Sequence, residues 1–116
     1  FGANVEAMFG KGSFDIGGHR TGSTDMGDIA HMMPVIHPYV ASARGKTHGA
    51  DFRINEPEHA YLTPAKLLSM TAIDLLYGDA APAKKTIADF QPAFTKDSYL
   101  AFERGLFKTE RYKPDA

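Results

Sequence analysis

One stretch of this chain sets a condition that the rest must meet. Residues 63–78, TPAKLLSMTAIDLLYG, carry the clearest helical signal. Leu67, Leu68, Thr71, Ala72, Leu75 and Leu76 recur at i, i+3, i+4 spacing and make an apolar stripe. Thr63 is placed to cap that helix, Pro64 suits its first turn, and Gly78 suits its end. A leucine stripe of this kind needs a surface to cover it. The chain offers few elements that could supply one.

At 116 residues the chain is at most one ordinary domain. A domain of this length buries about two thirds of its unfolded surface. Hydrophobic residues make up 43% and charged residues 23%, as in soluble globular proteins. The net charge of −1 provides no field for nucleic acid or acidic lipid. Near the end, Lys96, Arg104, Lys108, Arg111 and Lys113 are diluted by Glu103, Glu110 and Asp115, so the tail reads as solvated surface. The absence of cysteine excludes disulfides, thiolate metal sites and a cysteine nucleophile within the chain. It suits a reducing, cytoplasmic setting. No apolar run approaches the ~18 residues of a membrane span, and no basic-then-apolar leader is visible. A first residue of Phe1 instead of methionine is expected of a processed chain or a fragment.

The remaining segments are shorter. In NVEAMFG, Val5, Met8 and Phe9 have helical spacing, and Gly10 ends the helix. Residues 10–22 hold five glycines, with Phe14 and Ile16 alternating as a short strand inside a loop. Asp25 is a good N-cap for a short helix over 26–32, with Asp28 three residues on. Pro34 breaks that helix. VIHPYVAS reads as a strand, at an edge or interrupted because Pro38 has no N–H to donate. A turn-rich loop follows, with an extended piece over 51–54. Beyond the long helix, a second spans 81–90 with Ile87 and Phe90 inward. A third, capped by Thr95, covers 96–104 and ends at Gly105. The fold class is therefore α/β, with one or two strands and three or four helices, incomplete by itself. A two-stranded sheet is marginal alone.

Histidines stand at 19, 31, 37, 48 and 59. None forms the i, i+4 pair of a helical zinc site, and HExxH is absent. His48 stands out, because it lies in a glycine-flanked loop after a predicted strand, where α/β folds place functional groups. Its bland alternative is a turn histidine in water. His31 and His37 read as packing groups, and His59 belongs to the polar run NEPEH. Asp25 and Asp28 are open to two readings. They are acid/base or metal-binding groups, or they are helix caps, and capping is favoured for Asp28. Gly17, Gly18 and Gly22 could cradle an anion, but no phosphate-loop lysine accompanies them. The five methionines read as core filler.

Four elements in order carry a resemblance. GSTDMGD at 22–28 is followed by MPVIHPY at 33–39, HGADFRINE at 48–56, and the AKLLSMTAIDLL helix at 65–76. This resembles the C-terminal part of the dinuclear metal-dependent amidohydrolases and metallo-carboxypeptidases, which include aminoacylases and aminobenzoyl-glutamate hydrolases. The resemblance covers about residues 1–80. It implies the last segment of a split zinc-peptidase-like catalytic domain, spanning 1–116 with no second domain. The resemblance makes His48 a ligand of one of two divalent ions (zinc, manganese or cobalt), the one ligand from this chain. It places Asp25 behind the ligands and Ser23 and Thr24 at a substrate loop. Thr24 replaces the family's more usual glutamate, as in the aminobenzoyl-glutamate hydrolase branch.

In such enzymes the metal pair lowers the pKa of a bridging water, a glutamate takes its proton, and hydroxide attacks a polarised amide carbonyl. The glutamate base and the other ligands would lie upstream. Here Glu56 and Glu58, split by Pro57, are in the wrong place for that base. No catalytic residue is therefore expected in this segment, and the 116 residues alone should be inactive. Expected partners are the N-terminal part of the same enzyme, a small N-acyl or N-aroyl amino acid or peptide, and a second copy in a homo-oligomer. Nucleic acid and membrane are not expected. The competing readings are a stand-alone metal- or ligand-binding module and a structural or oligomerisation domain.

Overall fold

Gly10, with φ of 95°, ends the first helix as its position suggests. The computed structural model describes residues 1–18 and 22–113, so His19 and Asp115 lie outside the described residues. These contain five helices and one small sheet, a mixed α/β content. The helices are α1 (Gly2–Phe9), α2 (Met26–Ala30), α3 (Pro57–Leu76), α4 (Ala81–Asp89) and α5 (Lys96–Leu106). Strands β1 (Ala43–Arg44) and β2 (Arg53–Ile54) pair antiparallel, Ala43 with Ile54 and Arg44 with Arg53. Five helices exceed the expected three or four. The two shortest, α1 and α2, count as separate elements.

The chain divides into two compact units. The larger comprises Phe1–Gly22 with Ile36–Asp89, and the smaller Ser23–Val35 with Phe90–Ala116.

In the larger unit α1 lies along α3. Asn4 Nδ2 donates to Asp74 Oδ2 at 2.8 Å and to Thr71 Oγ1 at 3.4 Å, while Phe9 meets the edge of His59 at 5.7 Å. The start of α1 thus faces the end of α3, and the two run antiparallel. Val5 and Leu67 are the buried aliphatic residues here, Leu67 only 2% exposed. The helix α3 begins six residues earlier than Thr63. Pro57 occupies its first turn, so Thr63 and Pro64 lie inside it. Pro64 removes one backbone N–H, and Thr63 Oγ1 pairs with His59 Nδ1 at 2.9 Å. Phe14 and Ile16 form no strand. The Phe14 ring lies over Gly2, where a Cβ would come within 2.6 Å, and meets Phe1 edge-on at 6.1 Å. The segment 35–42 is not a strand either, since β1 begins at Ala43. Ile87 is exposed, against the inward expectation.

In the smaller unit α2 and α5 meet through aromatic rings. Phe94 lies 5.8 Å from the His31 ring, 5.7 Å from Tyr99 and 5.5 Å from Phe102. Tyr99 stacks on His31 at 5.9 Å and is the buried member of the group. Thr95 caps α5 as expected, in a reciprocal pairing with Ser98.

The chain exposes 10016 Å², against about 6,200 Å² for one globule of this mass and about 7,400 Å² for two separate ones. Much of the surplus is apolar. Along α3, Leu68 is 49% exposed, Ile73 62% and Leu76 65%.

Candidate metal-ligand loop and substrate loop

The sheet exists to close a loop. Ser42, buried, accepts the N–H groups of Asn55 and Glu56 on its carbonyl, at 2.9 and 3.3 Å. This fixes the base of a hairpin whose tip is residues 45–52. Gly45 turns the chain with φ of 94°. A Cβ there would stand 2.4 Å from the Asp51 carbonyl oxygen, so the two arms pass at a distance only glycine allows. Inside the loop, Gly49 N–H donates to Lys46 O at 2.7 Å and Phe52 N–H to Gly49 O at 3.1 Å. Asp51 Oδ1 accepts from Lys46 N–H at 3.3 Å.

His48 sits at the tip, exposed, with φ of 64°. A left-handed histidine is uncommon and marks a position worth a functional question. Its ring has no hydrogen-bond partner among the described residues. The expected carboxylate or carbonyl on its second nitrogen is therefore not supplied by them. An imidazole presented in this way suits one position of a zinc, manganese or cobalt coordination sphere. Among the described residues no three His, Cys, Asp or Glu side chains stand together as a metal site.

Ser23, Thr24 and Asp25 lie in the smaller unit, all exposed, just before α2. Asp25 stands at the N-cap position, yet its side chain accepts no capping bond. Thr24 Oγ1 meets Met26 N–H instead, at a long 3.4 Å. Asp28 is not a cap either. Its Oδ1 accepts the Tyr99 hydroxyl at 2.7 Å. That bond, followed by burial and by the charges of Asp28 and Glu103, holds the Tyr99 hydroxyl well above the ordinary tyrosine range. The pairing escaped the sequence reading because it joins residues 71 apart.

Three further histidines, His31, His37 and His59, lie among the described residues. His31 packs on Phe94 and Tyr99, as expected of a packing group, and its Nδ1 donates to Gly27 O at 2.6 Å. His37 does not pack in a strand. It is exposed and lies 5.0 Å from the ring of Tyr39, two residues on. His59 lines a shallow depression of about 400 Å³ with Glu56, Glu58, Thr63 and Lys66. No helix among the described residues is long and apolar enough to cross a membrane. Comparison of the chain with protein-family models, curated proteins and solved structures gives no match.

Proposed function

We propose that this chain is the C-terminal portion of the catalytic domain of a metal-dependent amidohydrolase. The whole enzyme would hydrolyse the amide of an N-acyl or N-aroyl amino acid or a small peptide. The observation that carries the reading is His48, an exposed imidazole held in a left-handed conformation at the tip of a glycine-closed hairpin. The uncommon backbone angle and a ring with no hydrogen-bond partner among the described residues support a reading in which the imidazole meets a ligand from outside the loop. The order of GSTDMGD, MPVIHPY and HGADFRINE around that histidine gives the reaction class by resemblance.

In this reading His48 is one ligand of a metal pair whose bound ions act as Lewis acids toward water and amide. The other ligands and the base come from the N-terminal part of the same polypeptide. Ser23 and Thr24 offer hydroxyls to the substrate, and Asp25 a carboxylate behind them. The exposed leucines of α3 and the segment 35–41, which has no strand partner among the described residues, are the surfaces that the parent domain would cover. Alone, the 116 residues are inactive.

The test is His48→Ala in the natural full-length polypeptide, read by metal content and by hydrolysis of N-acyl and N-aroyl amino acids with manganese or zinc. Bound metal should fall by about one ion per chain, and activity by more than the ~100-fold ceiling of an outer-shell substitution. Retention of both metal and activity would sink the proposal. Metal binding without hydrolysis in the unsubstituted protein would point to a binding module.

A further inference from the structure

We propose that Tyr99 is a positioning residue for the Ser23–Asp25 substrate loop, acting from α5 through the Asp28 carboxylate. This rests on the amidohydrolase reading for what the loop binds, but not for how the loop is held.

The loop has little of its own to hold it. The helix behind it, α2, has five residues, too few to be stable without tertiary support. The local bonds are Gly27 N–H to Thr24 O at 2.9 Å, Asp28 N–H to Asp25 O at 3.2 Å and the long contact from Met26 N–H to Thr24 Oγ1. All of these stay within the segment. Among the described residues, two side-chain hydrogen bonds join residues 23–30 to the rest of the smaller unit: His31 Nδ1 to Gly27 O at 2.6 Å, from the very next residue, and the Tyr99 hydroxyl to Asp28, which alone comes from another helix.

Three features make that bond a positioning device. At 2.7 Å it is a short, charge-assisted contact. Tyr99 is only 7% exposed and its ring is flanked by His31, Phe94 and Phe102, so its hydroxyl has a fixed address. Asp28 lies three residues after Asp25, one turn along the same side of α2. Fixing Asp28 therefore fixes where Asp25, Thr24 and Ser23 stand. The Phe94 N–H to His31 O bond at 3.2 Å ties down the far end of α2, which leaves the near end to Tyr99.

The experiment uses Tyr99→Phe, Asp28→Ala and Asp28→Asn in the full-length polypeptide. Asp28→Asn keeps an oxygen that can accept the same bond. Two readouts are taken: deuterium uptake of the peptide covering 23–30, with α3 as internal control, and kcat and KM for an N-acyl amino acid. Tyr99→Phe and Asp28→Ala should speed uptake at 23–30 by about 3- to 10-fold, the range expected for one lost hydrogen bond. They should raise KM by a similar ~3- to 10-fold factor with kcat changed less than about twofold. Asp28→Asn, which keeps the bond but loses its charge assistance, should fall between the parent and Asp28→Ala in both. Faster uptake with an unchanged KM would overturn the substrate role of Tyr99. Unchanged uptake, or Asp28→Asn as damaging as Asp28→Ala, would overturn the positioning itself. If the unsubstituted protein hydrolyses nothing, the amidohydrolase reading fails, and the uptake pattern alone then decides whether Tyr99 positions this segment.

Discussion

The two units of this chain are held together by different chemistry. In the larger, α1 and α3 bury Val5 and Leu67 between them, and few other apolar side chains find cover. In the smaller, His31, Phe94, Tyr99 and Phe102 gather around one charge-assisted hydrogen bond. Aliphatic burial is non-directional and scales with area, so the larger unit is as stable as the area it covers. The aromatic cluster is directional and needs less area, because ring geometry and a fixed hydroxyl specify one arrangement. Both units leave large apolar side chains open, Met33, Leu106 and Phe107 among them in the smaller. Leu68, Ile73 and Leu76 lie beside the buried Leu67 on the same helix, yet remain open.

The sharpest way to break the comparison is Leu67→Ala. Truncating a leucine that is 2% exposed should cost ~2–5 kcal/mol. Hydrogen exchange should show α1 and α3 losing protection while α5 keeps it. Leu68→Ala sharpens the same point. In the isolated chain, where Leu68 is half exposed, it should cost well under ~1 kcal/mol. In the full-length polypeptide, a parent sheet over that face should raise the cost to ~2 kcal/mol or more. Equal costs in both settings would leave the α3 face uncovered and remove one support for the fragment reading.

A smaller effect is expected at the hairpin. Gly45→Ala combines φ of 94° with a Cβ placed 2.4 Å from the Asp51 carbonyl oxygen. Opening the loop to relieve this should cost ~1–3 kcal/mol of local strain. It should displace His48 without touching α5. Loss of bound metal with intact exchange protection of α5 is the expected outcome. Metal retained at parental affinity would show that His48 does not depend on the loop, or is no ligand.

These contrasts also show what could be read beforehand. The start of α5 was legible because Thr95 and Ser98 cap it through bonds that span three residues. Gly10 was legible as the end of α1 for the same local reason. The start of α3 was not. Pro64 reads as a first-turn proline, but Pro57 already fills that role, and a helix of 20 residues tolerates one missing N–H. The segment 35–41 has strand-forming residues and no strand partner among the described residues, since propensity describes fit to a pleated surface and cannot provide the neighbouring strand. Asp28 was read as a cap because capping is local, whereas its partner Tyr99 comes from the far end of the chain. Of the candidate site, the exposed turn around His48 was legible from its flanking glycines, and the loop's closure by Ser42 was not.

The subtlest separation of the two units is by alkali. Tyr99 is held above the ordinary tyrosine value of 10.0 by Asp28, so the folded unit keeps its hydroxyl proton at pH values where the unfolded chain loses it. A group whose folded value is raised contributes fully below the unfolded value, and its contribution is lost as pH rises. The stability from this bond should therefore be constant through neutral pH and decline as pH climbs past about 10. Exchange protection of α2 and α5 should fall with that onset, ahead of α3. In Tyr99→Phe the same peptides should start lower and show no such decline. A parental decline that persists in Tyr99→Phe would assign the alkaline loss to other groups. The smaller unit would then rest on its aromatic packing alone, as the larger rests on Val5 and Leu67.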